Sequence, residues 1–435
     1  MKTATKTYRH ATTTISKTAK ILAVSLAIIP LLMTTSPVQA EESVDERINQ
    51  LEAQIKALRI AQQEQKNKQT QNSTAKDSKH TYQFGGFIKA TATLSDYSDG
   101  DLDANSGLRD FYIPGAIPVG GEGEAGDFDF SAKETRINFK STHLLDNGKT
   151  VKTYLEMDFL LPPGGNERVS NSYNPRLRHA FFTYDNWLFG QTWSTFQDVG
   201  ALPESVDFLA APDGIVFDRQ PQVRYTSGAW QFSLENPETT ITPFGGGGRI
   251  VTDDNSTPDF VLRYNYKADW GHISAAALLR SLAYNNGSSD ESESAAGFSL
   301  TGKYAFSNGD NIKFNYASGS GLGRYVALNT SNGAVLNATG ELNAIDSNLY
   351  AIAYQHKWNS QWRSNLIVSG TSVDNDTQLT GTSVTESVNS YQLNLLYSPT
   401  AKMTIGVGYL DATRELENGQ EGKMDRLIFT AKYGF

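Results

Sequence analysis

The chain of 435 residues has no cysteine. That excludes a disulfide framework, thiolate nucleophiles and cysteine-based metal sites. Histidine is scarce: His10, His80, His143, His179, His272 and His356 are all there are, and their spacing in the sequence fits no zinc motif. There is no Gly-x-Ser-x-Gly elbow. The run Gly245 to Gly248 lacks the strand-to-helix setting of a phosphate cradle and reads as a loop tip. Asp99, Asp101, Asp103 and Asn105 alternate as calcium ligands do, without the glycine and closing glutamate of an EF loop; they read as a solvated loop. No residue set therefore calls for a cofactor or a metal, and none makes an enzyme.

Long apolar runs are also missing, with one exception. Lys2, Lys6, Arg9, Lys17 and Lys20 precede Ile21 to Met33, and Val38-Gln39-Ala40 offers the small residues of a cleavage site. This is the pattern of a secretory signal over residues 1–40. Its apolar core falls short of the ~20 residues that a spanning helix needs. Removing it leaves 33 basic and 47 acidic side chains, a net of −14, which argues against a nucleic-acid partner.

Residues 41–65 carry a heptad seam of Val44, Ile48, Leu51, Ile55 and Leu58. A helix this short is marginal alone. As a parallel coiled coil it needs a larger body to hold several copies together, so Ile48, Leu51, Ile55 and Leu58 are read as trimerising positions. Residues 66–80 are rich in Gln, Lys, Asn, Ser and Thr and form a flexible linker.

From residue 81 to Phe435 the pattern changes to period two. The organising stretch is Pro175 to Phe217. Arg176 to Tyr184 alternates, Asp185-Asn186 makes a tight turn, and Trp187 to Trp193 runs back. Residues 194–217 then lose the strand period. Sixteen such strands can be marked, joined by seven short links and eight longer loops near residues 96, 160, 194, 236, 283, 318, 371 and 411. Strict alternation of short and long connections is expected of a closed, 16-stranded antiparallel transmembrane β-barrel in a bacterial outer membrane, an all-β fold here preceded by the helical coiled-coil segment. Trp187, Trp230, Trp270, Trp358 and Trp362 all stand at the short-turn ends, as an interfacial belt requires. The terminal Phe435 shares a face with Leu427, Phe429 and Tyr433 and resembles the end signal read by the outer-membrane assembly machinery. Lipid and lipopolysaccharide would then surround the barrel.

Alternation also sorts charge. The inward face collects Lys89, Arg136, Lys140, Lys152, Arg176, Arg178, Arg224, Arg263, Arg280, Lys303, Lys313, Arg363, Arg426 and Lys432, against Glu134, Glu156, Asp158 and Glu235. The remaining acids are expected in outer loops such as Asp96 to Asp110 and Asp290 to Glu293, and the segment Asp96 to Gly126 is read as a polar loop in solvent. Strict alternation puts His179 on the outward face. A narrow channel of one sign concentrates the opposite ion, and the guanidinium fork suits carboxylate and phosphate. The loop at 194–217 is the expected constriction. Its Leu202, Val206, Phe208 and Leu209 would be buried by folding inward, with Glu204 and Asp207 facing the arginines.

At these residues a family resemblance enters. Leu177–Phe196 (LRHAFFTYDNWLFGQTWSTF), Ala201–Phe208 (ALPESVDF) and Arg219–Thr226 (RQPQVRYT) resemble the DcaP-type porins. The resemblance implies a homotrimer of sixteen-stranded channels with a periplasmic coiled coil, passing small anionic solutes, dicarboxylates especially. It carries to single residues only at Arg176, Arg178, Arg219 and Arg224. The rival readings are a phosphate-selective or other small-solute channel, an adhesin acting through its outer loops, and a barrel lipid hydrolase, which would need a Ser–His pair on the lipid face.

Overall fold

Strands begin at His80 and end at Gly434, and the first pairs with the last. Phe87 to Tyr97 lie antiparallel to Met424 to Gly434, which closes the sheet on itself. The computed structural model describes residues 79–161, 165–166, 170–287 and 290–435; the expected signal, the heptad positions and most of the linker lie outside them. The large sheet holds seventeen segments. Two of them, Glu124–Ser131 and Arg136–Leu144, are one crossing interrupted at residues 132–135, because both pair with His80–Tyr97. The barrel is therefore sixteen-stranded. The other crossings are Thr150–Asp158, Arg176–Tyr184, Trp187–Trp193, Arg219–Ser227, Trp230–Glu235, Asp259–Ala268, Gly271–Asn285, Asp290–Ala305, Asn311–Ser320, Asp346–Lys357, Trp362–Asp374, Thr385–Thr400, Met403–Leu416 and Glu421–Gly434. Among the described residues no helix is long and apolar enough to cross a membrane; the crossing is made by strands.

The period-two pattern does what a lipid-facing wall demands. Ile88, Leu94, Phe139, Leu155, Leu177, Phe182, Ile352, Leu366, Leu393 and Phe429 point outward and are exposed, while Lys89, Thr91, Thr93 and Arg426 point inward and are buried. Each wall strand is hydrogen-bonded to a neighbour on both sides, the last to the first, which leaves no open sheet edge in hydrocarbon. Trp187, Trp230, Trp358 and Trp362 are exposed at the short-turn rim, and Trp270 joins them there.

Four expectations need correction. First, the segment between Tyr97 and Glu124 is not a polar loop in solvent. Its helical turn Gly107–Asp110 and the residues after it go into the barrel, where Leu108, Tyr112 and Ile117 bury against Val388, Leu410, Ala412 and Met424. Removing each such side chain from water contributes about 1.5–3 kcal/mol, which outweighs the open alternative. The crossing that follows starts at Glu124, eight residues before the alternation that begins at Ala132. Second, short and long connections do not alternate strictly. Strands Gly271–Asn285 and Asp290–Ala305 leave only residues 286–289 between them, and Met403–Leu416 and Glu421–Gly434 leave only 417–420. These hairpins keep pairing beyond the apolar band, so their polar ends look like loop in the sequence.

Third, the parity of Arg176–Tyr184 flips. Glu156 pairs with His179 while Met157 pairs with Leu177, so Arg178 is an extra residue, a β-bulge. Arg176 and Arg178 face inward on one side of it. On the other side His179, Phe181 and Thr183 face inward, and Phe182 is exposed. His179 therefore sits in the lumen, 5% exposed, with Nδ1 3.0 Å from Thr192 Oγ1. Fourth, beyond the Glu204 and Asp207 expected to fold inward, Asp198 and Asp213 of the 194–217 loop also enter the lumen and lower its positive excess.

Three inward segments fill the barrel. The loop 194–218 crosses it and touches inward residues almost all the way round: Lys89 donates to the Val206 carbonyl at 2.9 Å, Arg263 to Gln197, Lys313 to Leu202, Asn315 to Ala201, and Ser369 and Ser390 to Asp213. Where it leans on the wall, the wall gives way. A Cβ on Gly406 or Gly408 would meet the Val206 methyls at 2.6 and 2.4 Å. It also turns the inner face apolar at Ala351, Ala353 and Ile367, which pack on Leu209 and Ile215. That is why neither face of the strands near Asn348 and Trp362 looks polar in the sequence. Residues 321–345 supply the third segment, with Tyr325 and Val326 against Phe196 and Val216. Thr239–Thr242, Ile250–Thr252, Ala334–Leu336 and Leu342–Ala344 form a separate four-stranded sheet that packs on Leu282 and Ala295 of the wall, and Gly245 to Gly248 are the tip of its first hairpin.

Candidate functional site

Phe208, at the innermost reach of the crossing loop, is ringed by cations. The guanidinium carbons of Arg136, Arg178 and Arg176 stand 5.5, 5.5 and 6.0 Å from its ring centre. Phe208 is itself held by Phe111 at 4.8 Å and Phe217 at 6.3 Å, so one other inward segment and the loop's own return limb fix it. Arg219 lies over Trp193 at 4.6 Å and Phe217 at 5.5 Å. Lys432 and Arg136 share the Phe87 ring, at 4.8 and 5.2 Å. Cation–π contacts of this kind are individually small but orient the charge.

Two carboxylates serve this group. Asp158, fully buried, accepts from Arg176 Nε and Nη2 at 2.8 Å each and from Arg178 Nη1 at 2.8 Å. Glu156 accepts from Arg178 Nε at 2.7 Å and from the Tyr154 hydroxyl at 2.6 Å, with Arg136 Nη1 3.7 Å away. Three guanidiniums, those of Arg136, Arg176 and Arg178, thus share two acids. Arg178 is locked at 1% exposure, so it holds the bulge and the two acids in place. Arg219 has no ion pair among the described residues, and its Nη1 is buried without a hydrogen-bond partner, as is Arg136 Nε. A buried donor left unpaired costs about 1–3 kcal/mol.

The other expected pore residues divide. Lys152 lines, with Lys140, Tyr154 and Phe181, a recess of about 420 Å³ on the short-turn side of the cluster. Arg224 turns to the Trp193 carbonyl and Gln222. Arg263 is paired to Asp198 at 2.9 Å, beside His272. Arg280 lies 3.4 Å from Asp259 and donates to the carbonyls of Gly321, Leu322 and Glu238, which ties the outer segments to the wall. In the loop, Glu204 does meet an arginine: Arg363, at 2.5 and 2.7 Å. Asp207 does not. It accepts from the Tyr112 backbone N–H at 3.0 Å, so it joins two inward segments to each other.

Trp193, Phe217 and Phe87 escaped the sequence reading as lumen residues. For Trp193 a sign was present: it is the one tryptophan away from the short-turn rim. Arg324 and Tyr325 were missed entirely, since no period marks a loop that folds back.

A closed sixteen-stranded wall, an aromatic girdle at one rim and a charged lumen crossed by a loop define an outer-membrane β-barrel of the porin type. The chain belongs to the DcaP outer membrane protein family, whose sequence model matches residues 38–435. It is similar to the outer membrane channel DcaP of Acinetobacter baumannii, with TM-score 0.67 and 22% identity over 82% of this chain and 97% of that one. It is also similar to the OmpT outer membrane protein of Vibrio cholerae: a loop L8 deletion form gives TM-score 0.50 and 12% identity over 82% and 100% of the two chains. The trimer form of OmpT gives 0.50 and 11% over 82% and 99%. No curated protein matches the chain.

Proposed function

We propose that the protein is a passive channel for small anionic solutes, dicarboxylates in particular, working without covalent chemistry. The carrying observation is the arginine cluster on Phe208, in which Arg219 and Arg136 keep unpaired donors while their neighbours Arg176 and Arg178 are held by Asp158 and Glu156. Fixed acids hold the scaffold arginines and leave the others to a solute. Two separated guanidiniums suit a solute with two carboxylates, because each fork takes one carboxylate. The recess with Lys140 and Lys152 would receive such a solute on the short-turn side.

In this reading residues 1–40 are removed on export, 41–65 form a periplasmic three-stranded coiled coil through Ile48, Leu51, Ile55 and Leu58, and 66–80 link it to the barrel. The native assembly is a homotrimer in lipid and lipopolysaccharide, delivered by the assembly machinery through Phe435. The deciding measurement is single-channel conductance with the reversal potential in a salt gradient. Anion preference is expected, and it should fall in the Arg136→Glu plus Arg219→Glu variant. Cation preference in the native protein, or a closed barrel, would overturn the reading. Block by a small dicarboxylate but not by inorganic phosphate separates the favoured solute from the phosphate-selective alternative.

A further inference from the structure

His80 and His143 are 63 residues apart in the chain but direct register partners on neighbouring strands. Their Nδ1 atoms stand 2.8 Å apart and their ring centres 4.9 Å apart. Both face outward at the short-turn rim, where His80 is exposed and His143 half-buried. A neutral imidazole has one N–H and one lone pair. On His143 the far nitrogen Nε2 lies 2.8 Å from Ser141 Oγ, which lies 2.7 Å from Thr153 Oγ1. A hydroxyl accepting from Nε2–H keeps the proton there and leaves the Nδ1 lone pair aimed at His80, the arrangement by which outer partners orient a metal-ligating histidine. The Tyr82 ring, edge-on at 5.6 Å, holds the His143 plane. The nearest charges, Lys79 and Asp146, satisfy each other at 2.6 Å and so compete for neither ring.

Metal–nitrogen bonds of ~2.0–2.1 Å set two ligand nitrogens ~2.9 Å apart at a right angle and ~3.3 Å apart at a tetrahedral angle. The two nitrogens form a hydrogen-bonded pair with the rings nearly head-on; at this separation a small rotation of the exposed His80 ring turns both lone pairs to the cis positions of a tetragonal centre. We propose that His80 and His143 form a two-nitrogen chelate for a late divalent transition metal, with Ser141 as a positioning residue and water completing the coordination. The general order of affinities puts copper(II) ahead of nickel(II) and zinc(II). The ion would clip together the first two strands of the barrel at the point where the chain enters it. The sequence hides the site, because only strand register brings the two rings together.

The test is copper(II) alone added to tag-free mature protein folded in detergent, read by electron paramagnetic resonance and by titration. The expected result is one bound equivalent coupled to two imidazole nitrogens, lost in His80→Ala and in His143→Ala and unchanged in His272→Gln. The mature amino terminus also binds copper, so the readout is the difference between native protein and His80→Ala. His80 sits exposed at the start of its strand, and each variant is checked for the heat-dependent gel shift of a folded barrel. A folded His80→Ala variant that keeps the two-imidazole signal overturns the proposal, as does native protein that binds none. Ser141→Ala should bind ~10–100-fold more weakly; unchanged affinity there removes Ser141 from the site.

Discussion

Arg263, Arg280, Arg363 and Arg426 on one part of the inner wall, and Arg136 and Arg219 on another, point into the same lumen but meet different neighbours. Three of the first four are used up. Asp198, Asp259 and Glu204 pair with three of them, while Arg426 has no ion pair among the described residues and gives Nε and Nη2 to Ser95, the Tyr97 hydroxyl and the Leu108 carbonyl, with its Nη1 left unpartnered. Each of these contacts pins an inward or outer segment to the wall. Around Phe208 the acids run out first. The same side chain, equally inward, is a rivet where an acid is close and keeps an unpartnered donor where the acids are already taken. Positive charge in a barrel lumen therefore cannot be read as conduction until the loops are placed.

The comparison can be broken in stages. The largest effect is expected from Arg178→Met. Removing one partner of a buried, paired charge typically costs about 3–5 kcal/mol, and both Glu156 and Asp158 would lose a donor. A fall in the temperature of the heat-dependent gel shift checks this. Arg219→Gln should leave that temperature nearly unchanged while lowering anion preference in the reversal potential; equal loss of stability in both variants would erase the distinction. Next is Gly408→Val, whose side chain meets Val206. It should dislodge the crossing loop and alter single-channel conductance without preventing assembly. Arg363→Gln frees Glu204 and should increase open-channel noise by a smaller amount. The smallest effect belongs to the short-turn rim. The Lys357 N–H, the Tyr354 hydroxyl and His356 hold the Asp310 carboxyl below the usual carboxylate range. A depressed value favours the fold above the unfolded pKa, ~4, and that stability is lost as pH falls through the folded value. Asp310→Asn should therefore melt below native protein at neutral pH, with the gap closing in acid.

Most of the wall was legible because lipid imposes one rule on alternate residues, and Ile88, Leu94, Phe429 and the rim tryptophans obey it. The rule failed where something else touched the chain. Arg178 breaks the alternation by one inserted residue, and Arg-x-Arg-His looks regular until Glu156 and Met157 are seen to pair around it. Leu108, Tyr112 and Tyr325 have no period, because loop burial follows no repeat. Ala351, Ala353 and Ile367 carry no polar inner face, since they pack against protein rather than water.

By itself the sequence determined the number of crossings, the face that most of them present to lipid and the rim that bears the tryptophans, all of which follow from a period of two against an apolar solvent. Only the tertiary structure decided which arginines are free, that Asp207 holds Tyr112 and that His80 meets His143. Those depend on which distant side chains arrive at the same place, and distance along the chain carries no record of that.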